Sequence, residues 1–305
     1  MLNNYHTPVL LNEVISNLNI VANGTYIDCT AGFGGHSQAI VDKLEGGKVF
    51  CFEQDYEAYN FLLKKFKKNK NVKIFNENFT RIDHEIKEKV DGIVFDLGVS
   101  NYQLTSQNRG FSYKIDGPLD MRMSQKNKLT AKTIINTYTK QQLIDIFKKY
   151  GEIKNPQKIV DEIIKVRKQK TITTTLQLQK IICDKTKGAN HRKHPAKTYF
   201  QALRIVVNDE LNTLKQGLEK AITLLKKYGI LAVITFHSLE DRIVKHFFKN
   251  ISTTHDFYGH DVPLYQKIKP NYYLITKKPI IPTQTEIAKN HKSHSAKLRV
   301  LQKIC

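Results

Sequence analysis

Short apolar runs alternate with amphipathic segments over the first hundred residues of the chain. The apolar runs have the length and continuity typical of buried strands in a parallel sheet. Between them, apolar residues recur at helical spacing, which predicts helices over residues 37–44 and 56–66. The predicted strands cover residues 25–29, 48–53, 72–75 and 92–96. This alternation predicts an α/β domain in which crossover helices join parallel strands.

The strand pattern stops after residue 104 and resumes only after residue 205. Residues 105–205 have apolar residues at helical spacing and are predicted to form an inserted helical domain. A long helix is predicted next, followed by a buried strand and by two strand-like segments suited to antiparallel edge strands. These elements cover residues 202–227, 229–235, 272–276 and 297–301. We therefore predict one α/β domain, built from residues 1–104 and 206–305, with the helical domain inserted into it.

The charge of the chain narrows its range of partners. Lys and Arg number 49 against 28 Asp and Glu, a formal net charge of +21, which favours a polyanion such as nucleic acid. A lysine-rich solvated surface explains the charge equally well. The four cysteines form no C-x-x-C pair, so neither zinc nor disulfides are indicated. No leader-like or membrane-spanning apolar run is present, and we expect a cytoplasmic protein without a membrane partner.

A glycine-rich loop lies between the first predicted strand and the following helix. Gly32, Gly34 and Gly35 allow a tight turn and a close approach of the backbone to a ligand. The dinucleotide pattern G-x-G-x-x-G lacks its third glycine here, because position 37 is Ser. Glu53 ends the second predicted strand, where a carboxylate can accept hydrogen bonds from ribose hydroxyls. The arrangement favours a nucleoside cofactor, and S-adenosylmethionine over a nicotinamide dinucleotide.

Two further residues are candidates for catalysis because each follows a predicted strand. Asp96 ends the fourth strand, at the carboxyl edge where open α/β sheets bind ligands, and is therefore a candidate active-site residue. His237 follows the fifth strand and is a candidate for proton transfer. A structural alternative exists, because Ser238 and Asp241 have capping-box spacing and would begin a helix over residues 242–248.

Several stretches together resemble the bacterial small-subunit ribosomal RNA cytosine-N4 methyltransferases of the MraW type. They are Thr-Ala-Gly-Phe-Gly-Gly-His-Ser at 30–37, Phe-Asp-Leu-Gly-Val-Ser at 95–100 and Arg-Gly-Phe-Ser at 109–112. Matching stretches at 116–123, 194–204 and 236–242 follow in the same order, so the resemblance covers nearly the whole chain. It implies a Rossmann-like class I methyltransferase domain interrupted by a helical substrate-recognition domain. It also implies methylation of cytidine N4 in the decoding region of 16S ribosomal RNA, within the small ribosomal subunit.

The resemblance also implies which residues contact S-adenosylmethionine. Carried over motif by motif, they are Gly34, Gly35, His36, Glu53, Phe79, Asp96 and Gln103. The chain departs from the family pattern at Glu53, where the family usually has Asp, and at 101–102, where a proline is missing before Gln103. Near residues 290–295, histidines and a lysine replace an arginine-rich stretch that would contact RNA. No metal site is expected.

Residues in and beside the insert are predicted to contact RNA. A base that flips out of its stack is bound by aromatic and basic side chains, which we call base receivers. A basic loop can bind the phosphates of the RNA backbone. The candidate receivers are Tyr102, Arg109, Phe111, Tyr113 and Arg122, and the basic loop contains Lys185, Lys187, His191, Arg192, Lys193 and Lys197. Internal packing is the alternative for each receiver. Whether the substrate is naked RNA or an assembled subunit, and whether two chains form a homodimer, stays open.

Other classes of protein stay open as well. A nicotinamide-dependent oxidoreductase could use the same glycine loop, and an RNA-binding protein could retain a vestigial cofactor site. A DNA amino-methyltransferase would normally carry an Asp/Asn/Ser-Pro-Pro-aromatic motif where this chain has Asp-Leu-Gly-Val from position 96. The carboxylates beside the glycine loop argue against a pure binding module.

Overall fold

The computed structural model describes residues 8–186, 194–253 and 270–305, together with the backbone of residues 255–257 and 266–268. The chain divides into two compact units. The first unit consists of Met1–Gly98 and Leu211–Cys305, and the second of Val99–Glu210. The junctions predicted after residues 104 and 205 both fall inside the second unit.

A seven-stranded sheet organises the described part of the first unit. The strands of the chain are β1 (Thr25–Asp28), β2 (Lys48–Phe52), β3 (Val72–Phe75), β4 (Val90–Asp96), β5 (Leu225–Thr235), β6 (His255–Phe257), β7 (Gln266–Ile268), β8 (Tyr272–Leu274) and β9 (Lys297–Lys303). The order in the sheet is β3-β2-β1-β4-β5-β9-β8, and β6 pairs separately with β7. The strands β1 to β5 run parallel, whereas β9 is antiparallel to β5 and β8 is antiparallel to β9. The predicted α/β fold class is confirmed.

Both faces of this sheet are covered, which explains why its central strands are apolar without interruption. Side chains of a strand alternate between the two faces, so neighbours in sequence enter different clusters. Phe95 and Val233 pack with residues of the helices that follow β3 and β5, whereas Val94 and Ile234 pack with residues of the first helices of the chain. Covering two faces requires the continuous apolar runs from which the strands were predicted.

The helices of the chain are shorter and more numerous than the sequence pattern predicted. They are α1 (Leu11–Leu18), α2 (Gly35–Val41), α3 (Tyr56–Lys65), α4 (Ile82–Glu85), α5 (Asn101–Thr105), α6 (Ala131–Thr137), α7 (Lys140–Gly151), α8 (Gln157–Gln169), α9 (Thr175–Thr186), α10 (Ala196–Asn208), α11 (Glu210–Leu224), α12 (Ser238–Ser252) and α13 (Gln284–Lys289). Single turns of 3-10 helix lie at Phe79–Arg81, Gln107–Arg109 and His291–Ser295. None of the helices formed by described residues combines the length and apolar character needed to cross a bilayer.

The single helix predicted over residues 202–227 is wrong. α10 ends at Asn208, and Asp209 has a φ of 48°, in the left-handed region that ends helices. α11 then starts at Glu210 and gives way to β5 at Leu225, four residues before the predicted strand. The apolar spacing continues across the break, which is why periodicity alone did not predict it.

The second unit has its own apolar core, built by helices. Phe147 of α7 is fully buried and meets the ring of Tyr199 of α10 edge to face, with centroids 4.8 Å apart. α7 begins with a capping box between Thr139 and Gln142. Apart from an isolated bridge between Pro118 and Thr174, the described residues of this unit form no β-structure.

Candidate cofactor and active site

The order of the parallel strands reverses between β1 and β4. β2 and β3 lie on one side of β1, and the chain then crosses to β4 on the other side. In open α/β sheets, ligands bind at the carboxyl ends of the strands at such a reversal, because the two following loops diverge there. The Cys29 amide donates to the carbonyl of Val94 at 2.9 Å, and the Asp96 amide donates to the Thr30 hydroxyl at 2.6 Å. The glycine loop and Asp96 therefore meet at this position.

Two glycines of the loop after β1 have left-handed backbone conformations, with φ of 52° at Gly32 and 72° at Gly34. A Cβ at Gly34 would lie 2.8 Å from Leu62 and 2.9 Å from Phe66, so the loop packs against α3 there. A Cβ at Gly32 would meet no atom nearer than the Thr30 carbonyl oxygen at 3.9 Å. Gly34 is thus required for packing, whereas Gly32 borders open space where a ligand can approach.

Glu53 lies just after β2 and is tied to the glycine loop. Its Oε2 accepts the Gly32 amide at 2.8 Å, and its Oε1 accepts the Asp55 amide at 2.7 Å. Burial raises the pKa of Glu53 to about 7, and the Asp55 carboxylate adds to this effect, although the two amides oppose it. Each carboxylate oxygen has a second acceptor position, so ribose hydroxyls can still bind here.

Asp96 ends β4 with a side chain that is 11% exposed. Its Oδ1 is buried and has no hydrogen-bond partner among the described residues. Burial raises the pKa of Asp96 well above its usual range, and the negative charges of Asp28 and Glu240 raise it further. A buried acceptor without a partner is uncommon in folded proteins and marks a position where a ligand donor can bind.

His36, predicted as a cofactor contact, lies in the first turn of α2 with its ring turned into the protein. The side chain is 4% exposed, and Nε2 lies 3.0 Å from the carbonyl oxygen of Val9. Its Nδ1 lies 3.6 Å from Oδ2 of Asp96. Both ring nitrogens thus face protein atoms.

Phe79 and Gln103, the two other predicted cofactor contacts, are both buried in their own units. Phe79 is 8% exposed and meets Phe95 edge to face, at 5.1 Å between ring centroids. Gln103 belongs to the second unit, where it forms a capping box with Ser100 at the start of α5. The missing proline at 101–102 does not prevent this helix from forming.

His237 is the N-cap of α12, so the predicted capping pair of Ser238 and Asp241 is wrong. The Glu240 amide donates to Nδ1 of His237 at 3.4 Å, and Glu240 in turn accepts the Phe236 amide at 2.8 Å. Nε2 of His237 lies 3.1 Å from Oε1 of Glu240 but is not aligned for a hydrogen bond. Asp241 instead accepts hydrogen bonds from Arg299 at 2.8 Å and Lys297 at 3.0 Å.

Three of the predicted base receivers form contacts within the second unit. Arg109 is 4% exposed and donates to the carbonyls of Arg122 and Met123. Arg122 forms a 2.7 Å ion pair with Asp120, and Phe111 lies in the helical core. Arg109 and Phe111 are buried, whereas the Arg122 side chain is 24% exposed, and an RNA contact by these side chains stays a prediction.

The remaining predicted RNA contacts differ in how far they are buried and in whether they contact other side chains. Tyr113 stacks on His194 with centroids 4.5 Å apart, and Tyr102 is half-buried. Lys185 forms a 2.9 Å ion pair with Glu162, while Lys197 is exposed. The basic-loop residues Lys187, His191, Arg192 and Lys193 lie outside the described residues.

Two residues that hold the site together were missed by the sequence reasoning. Lys65, at the end of α3, donates to the carbonyls of Phe33 and Gly34. Asp28 is buried and accepts the Ser37 hydroxyl at 2.6 Å and the Thr30 amide at 3.2 Å. Lys65 belongs to the lysine-rich run 64–68, for which a solvated surface was one of the two explanations of the charge. Its position three residues after the buried Leu62 was the available signal.

This sheet order, with a glycine loop after β1 and carboxylates after β2 and β4, defines a Rossmann-like, nucleoside-binding α/β protein of the class I methyltransferase type. The sequence model of the MraW methylase family matches residues 3–304 of the chain. It belongs to this family, and its cofactor is S-adenosylmethionine.

Curated relatives match the chain along its length. It is 44% identical over 308 residues to a protein from Spiroplasma kunkelii, covering 98% of each chain. It is 46% identical over 315 residues to one from Mycoplasma genitalium, covering 99% of this chain and 100% of the relative. A protein from Caldicellulosiruptor saccharolyticus is 46% identical over 305 residues, covering 98% and 99%. All three are named ribosomal RNA small subunit methyltransferase H.

Proposed function

We propose that this protein transfers a methyl group from S-adenosylmethionine to the exocyclic N4 of a cytidine in the decoding region of 16S ribosomal RNA. The names of its relatives support the small-subunit RNA as substrate, and the motif resemblance supports cytidine N4. The observation that carries the chemistry is the buried, unpartnered Oδ1 of Asp96 at the strand-order reversal. A hydrogen-bond acceptor at that position suits an amine that must lose a proton.

The residues at this edge of the sheet fit S-adenosylmethionine. Open space borders Gly32, Glu53 retains acceptor positions for ribose hydroxyls, and Asp96 lacks a donor. Gly34 and Gly35 would bring the backbone of the loop close to the cofactor. For His36 the contact would come from its backbone, because its ring nitrogens face Val9 and Asp96. Bound S-adenosylmethionine supplies an electrophilic methyl group on a positively charged sulfur.

Phe79 and Gln103 keep the cofactor contacts proposed for them, whereas for His237 capping of α12 is favoured over the catalytic role. The ring face of Phe79 would stabilise a cationic sulfur lying within about 6 Å of its centroid by roughly 0.5–2 kcal/mol. Gln103 would contact the cofactor while its side chain forms the capping box with Ser100. His237 as a catalytic residue would have to act while it caps α12.

Asp96 would act on the proton of the attacking amine. The N4 lone pair of cytosine is conjugated with the ring, and an acceptor for one N–H makes it more available as the new N–C bond forms. The proton leaving N4 would then pass to Oδ1 of Asp96. Proton transfer by a positioned side chain contributes typically about 10²–10⁴-fold to a rate. Positive charge that develops on N4 would be stabilised by a carboxylate held in a site of low dielectric.

The charge distribution supports the second unit as the part that binds RNA. Residues 99–210 contain 22 Lys and Arg against nine Asp and Glu, a net charge of +13 out of +21 for the chain. Concentrated positive charge attracts the phosphate backbone and makes binding salt-dependent. We therefore propose substrate recognition for this unit.

The deciding experiment incubates the protein with labelled S-adenosylmethionine and small ribosomal subunits that lack the modification, then analyses the nucleosides of the digested RNA. We expect label in N4-methylcytidine. Label in another nucleoside would show that the protein is a methyltransferase but would refute cytidine N4 as the methylated atom. Cofactor binding without any label would favour a non-catalytic RNA-binding protein. Naked 16S RNA, tested in parallel, distinguishes free RNA from the assembled subunit as substrate.

A further inference from the structure

His36 and Asp96 face each other through two atoms that would both be hydrogen-bond acceptors if Asp96 were ionised. A backbone carbonyl only accepts hydrogen bonds, so the Nε2 of His36, 3.0 Å from the Val9 carbonyl oxygen, must carry the proton. In a neutral imidazole the Nδ1 is then an acceptor. That Nδ1 faces Oδ2 of Asp96 at 3.6 Å. An ionised Asp96 would therefore point one acceptor at another.

The surroundings of Asp96 add negative charge to this arrangement. Asp28 lies on β1 and Glu240 lies on α12. The negative charges of these two carboxylates disfavour the ionised form of Asp96. From α2 the facing group is the His36 imidazole. From the loop after β1 it is the Thr30 hydroxyl, which accepts the Asp96 amide. A proton between Asp96 and His36 removes both the acceptor clash and part of the charge repulsion.

We propose that Asp96 carries a proton directed at Nδ1 of His36 in the cofactor-free protein, and that this proton is released when S-adenosylmethionine binds. His36 is then a positioning residue, which holds Oδ2 of Asp96 and leaves Oδ1 facing the site. The inference rests on the proposed function in one respect, that the cofactor binds beside Asp96. Burial lowers the pKa of His36 to about 4, so the imidazole stays neutral and the proton resides on the carboxyl.

The driving force for release is electrostatic. S-adenosylmethionine brings a sulfonium and an ammonium, and a cation near a buried carboxyl favours its ionised form. Since ligand and proton then compete for the same group, cofactor affinity must rise with pH over the range in which Asp96 titrates. Binding also converts Asp96 into the ionised acceptor that proton removal from N4 requires.

Proton release is measured by calorimetry of S-adenosylmethionine binding, without RNA, in buffers of different ionisation enthalpy near neutral pH. We expect the wild-type protein to release at least about half a proton more than Asp96→Asn. The same difference should appear between Glu53→Gln and the double variant Glu53→Gln/Asp96→Asn at saturating cofactor, which separates it from protons lost by Glu53. Asp83→Asn makes the same chemical change at an exposed surface carboxylate and should behave as wild type. Equal release from wild type and Asp96→Asn would overturn the proposal.

A second measurement avoids substitution altogether. Nitrogen NMR of ¹⁵N-histidine-labelled protein should find His36 neutral and protonated at Nε2 near neutral pH, before and after cofactor addition. A cationic His36, or a proton on Nδ1, would refute the arrangement. If N4-methylcytidine forms but no Asp96-dependent proton is released, the proposed function stands and this inference fails. Asp96-dependent proton release without cytidine methylation would support this inference and refute the proposed function.

Discussion

The ammonium of Lys65 donates to the carbonyl oxygen of Gly34 at 2.6 Å and to that of Phe33 at 3.2 Å. The last turn of α3 thereby holds the glycine loop through two of its carbonyl oxygens. Both carbonyls belong to the loop segment in which the chain turns from β1 into α2. Lys65 therefore connects a helix on the sheet face to the conformation of the candidate cofactor loop.

Substituting Lys65→Met should weaken cofactor binding without changing the rate at saturating cofactor. Hydrogen bonds to charged groups contribute about 1.5–3 kcal/mol, and partial exposure of the side chain reduces this to about 1 kcal/mol. We expect the Kd of S-adenosylmethionine to rise about fivefold. Lys64→Met, in the same helical turn, is the matched control and should leave the Kd unchanged. Equal effects of the two substitutions would contradict the assignment.

Alanine at Gly34 and at Gly32 should separate stability from binding. Gly34→Ala combines a left-handed alanine with contacts to Leu62 and Phe66, and should lower the free energy of unfolding by about 2–4 kcal/mol. Gly32→Ala has only the backbone cost, about 1–2 kcal/mol, but its methyl group enters the ligand space. We expect it to raise the Kd of S-adenosylmethionine about tenfold. Denaturant unfolding and calorimetry would check both, and unchanged binding by Gly32→Ala would show that the cofactor lies elsewhere.

The raised pKa of Glu53 predicts a pH-dependent stability. Its pKa rises from a usual value of 4.5 to about 7, so the folded state keeps a proton that the unfolded chain has lost. This contribution to stability is complete below the unfolded pKa and disappears as the pH rises through the folded pKa. The free energy of unfolding should therefore decline over that interval by about 3 kcal/mol on account of this group. In Glu53→Gln, the free energy of unfolding measured with denaturant should depend less on pH. The same pH dependence in both proteins would refute the raised pKa of Glu53.

The ion pair between Arg299 and Asp241 should matter far more for stability than its neighbour from Lys297. Arg299 is buried in β9 and donates to an Asp241 that is nearly buried, whereas the Lys297 side chain is largely exposed. Arg299→Met leaves a charge without its main partner and should cost about 3 kcal/mol of unfolding free energy. Lys297→Met should cost less than about 1 kcal/mol. Similar losses from both would mean that the burial of Arg299 has no energetic consequence.

His237 offers a test between capping and catalysis. His237→Asn keeps an N-cap acceptor, whereas His237→Ala removes it at a cost of about 1 kcal/mol. Because both ring nitrogens lie against Glu240, we expect His237→Asn to retain the stability and the single-turnover methylation rate of the wild type. A large rate loss in His237→Asn at unchanged stability would instead establish a catalytic role.

The strands were predictable because burial on both sheet faces leaves a continuous apolar run in the sequence. β1, β2 and β3 start at the predicted residues, and Asp96 ends β4 as expected. The cap at His237 was not predictable, because histidine is outside the usual N-cap residues and Ser238 follows it with the expected spacing. Local spacing also could not reveal the turn at Asp209, which depends on backbone conformation rather than on apolar periodicity.

The candidate site was predictable to the level of its elements but not of its contacts. The glycine loop, Glu53 and Asp96 are recognisable because each follows a strand at the carboxyl edge of the sheet. The inward-facing ring of His36 depends on Val9, 27 residues away in the chain. Likewise, Lys65 reaches Gly34 across 31 residues. Such long-range partners leave no pattern in a local window of sequence.

The strand order has a consequence for synthesis. β4 has no β5 beside it until residues 99–224 have been translated, and β5 in turn has no β9 beside it until residues 297–303 have been made. The helical unit has been translated completely while three of the seven strands of the sheet are still missing. A nascent chain of this protein therefore carries an unpaired β4 edge for more than a hundred residues of elongation. Nascent chains arrested before β5 should be protected in the helical unit first and should depend on chaperones to shield that edge.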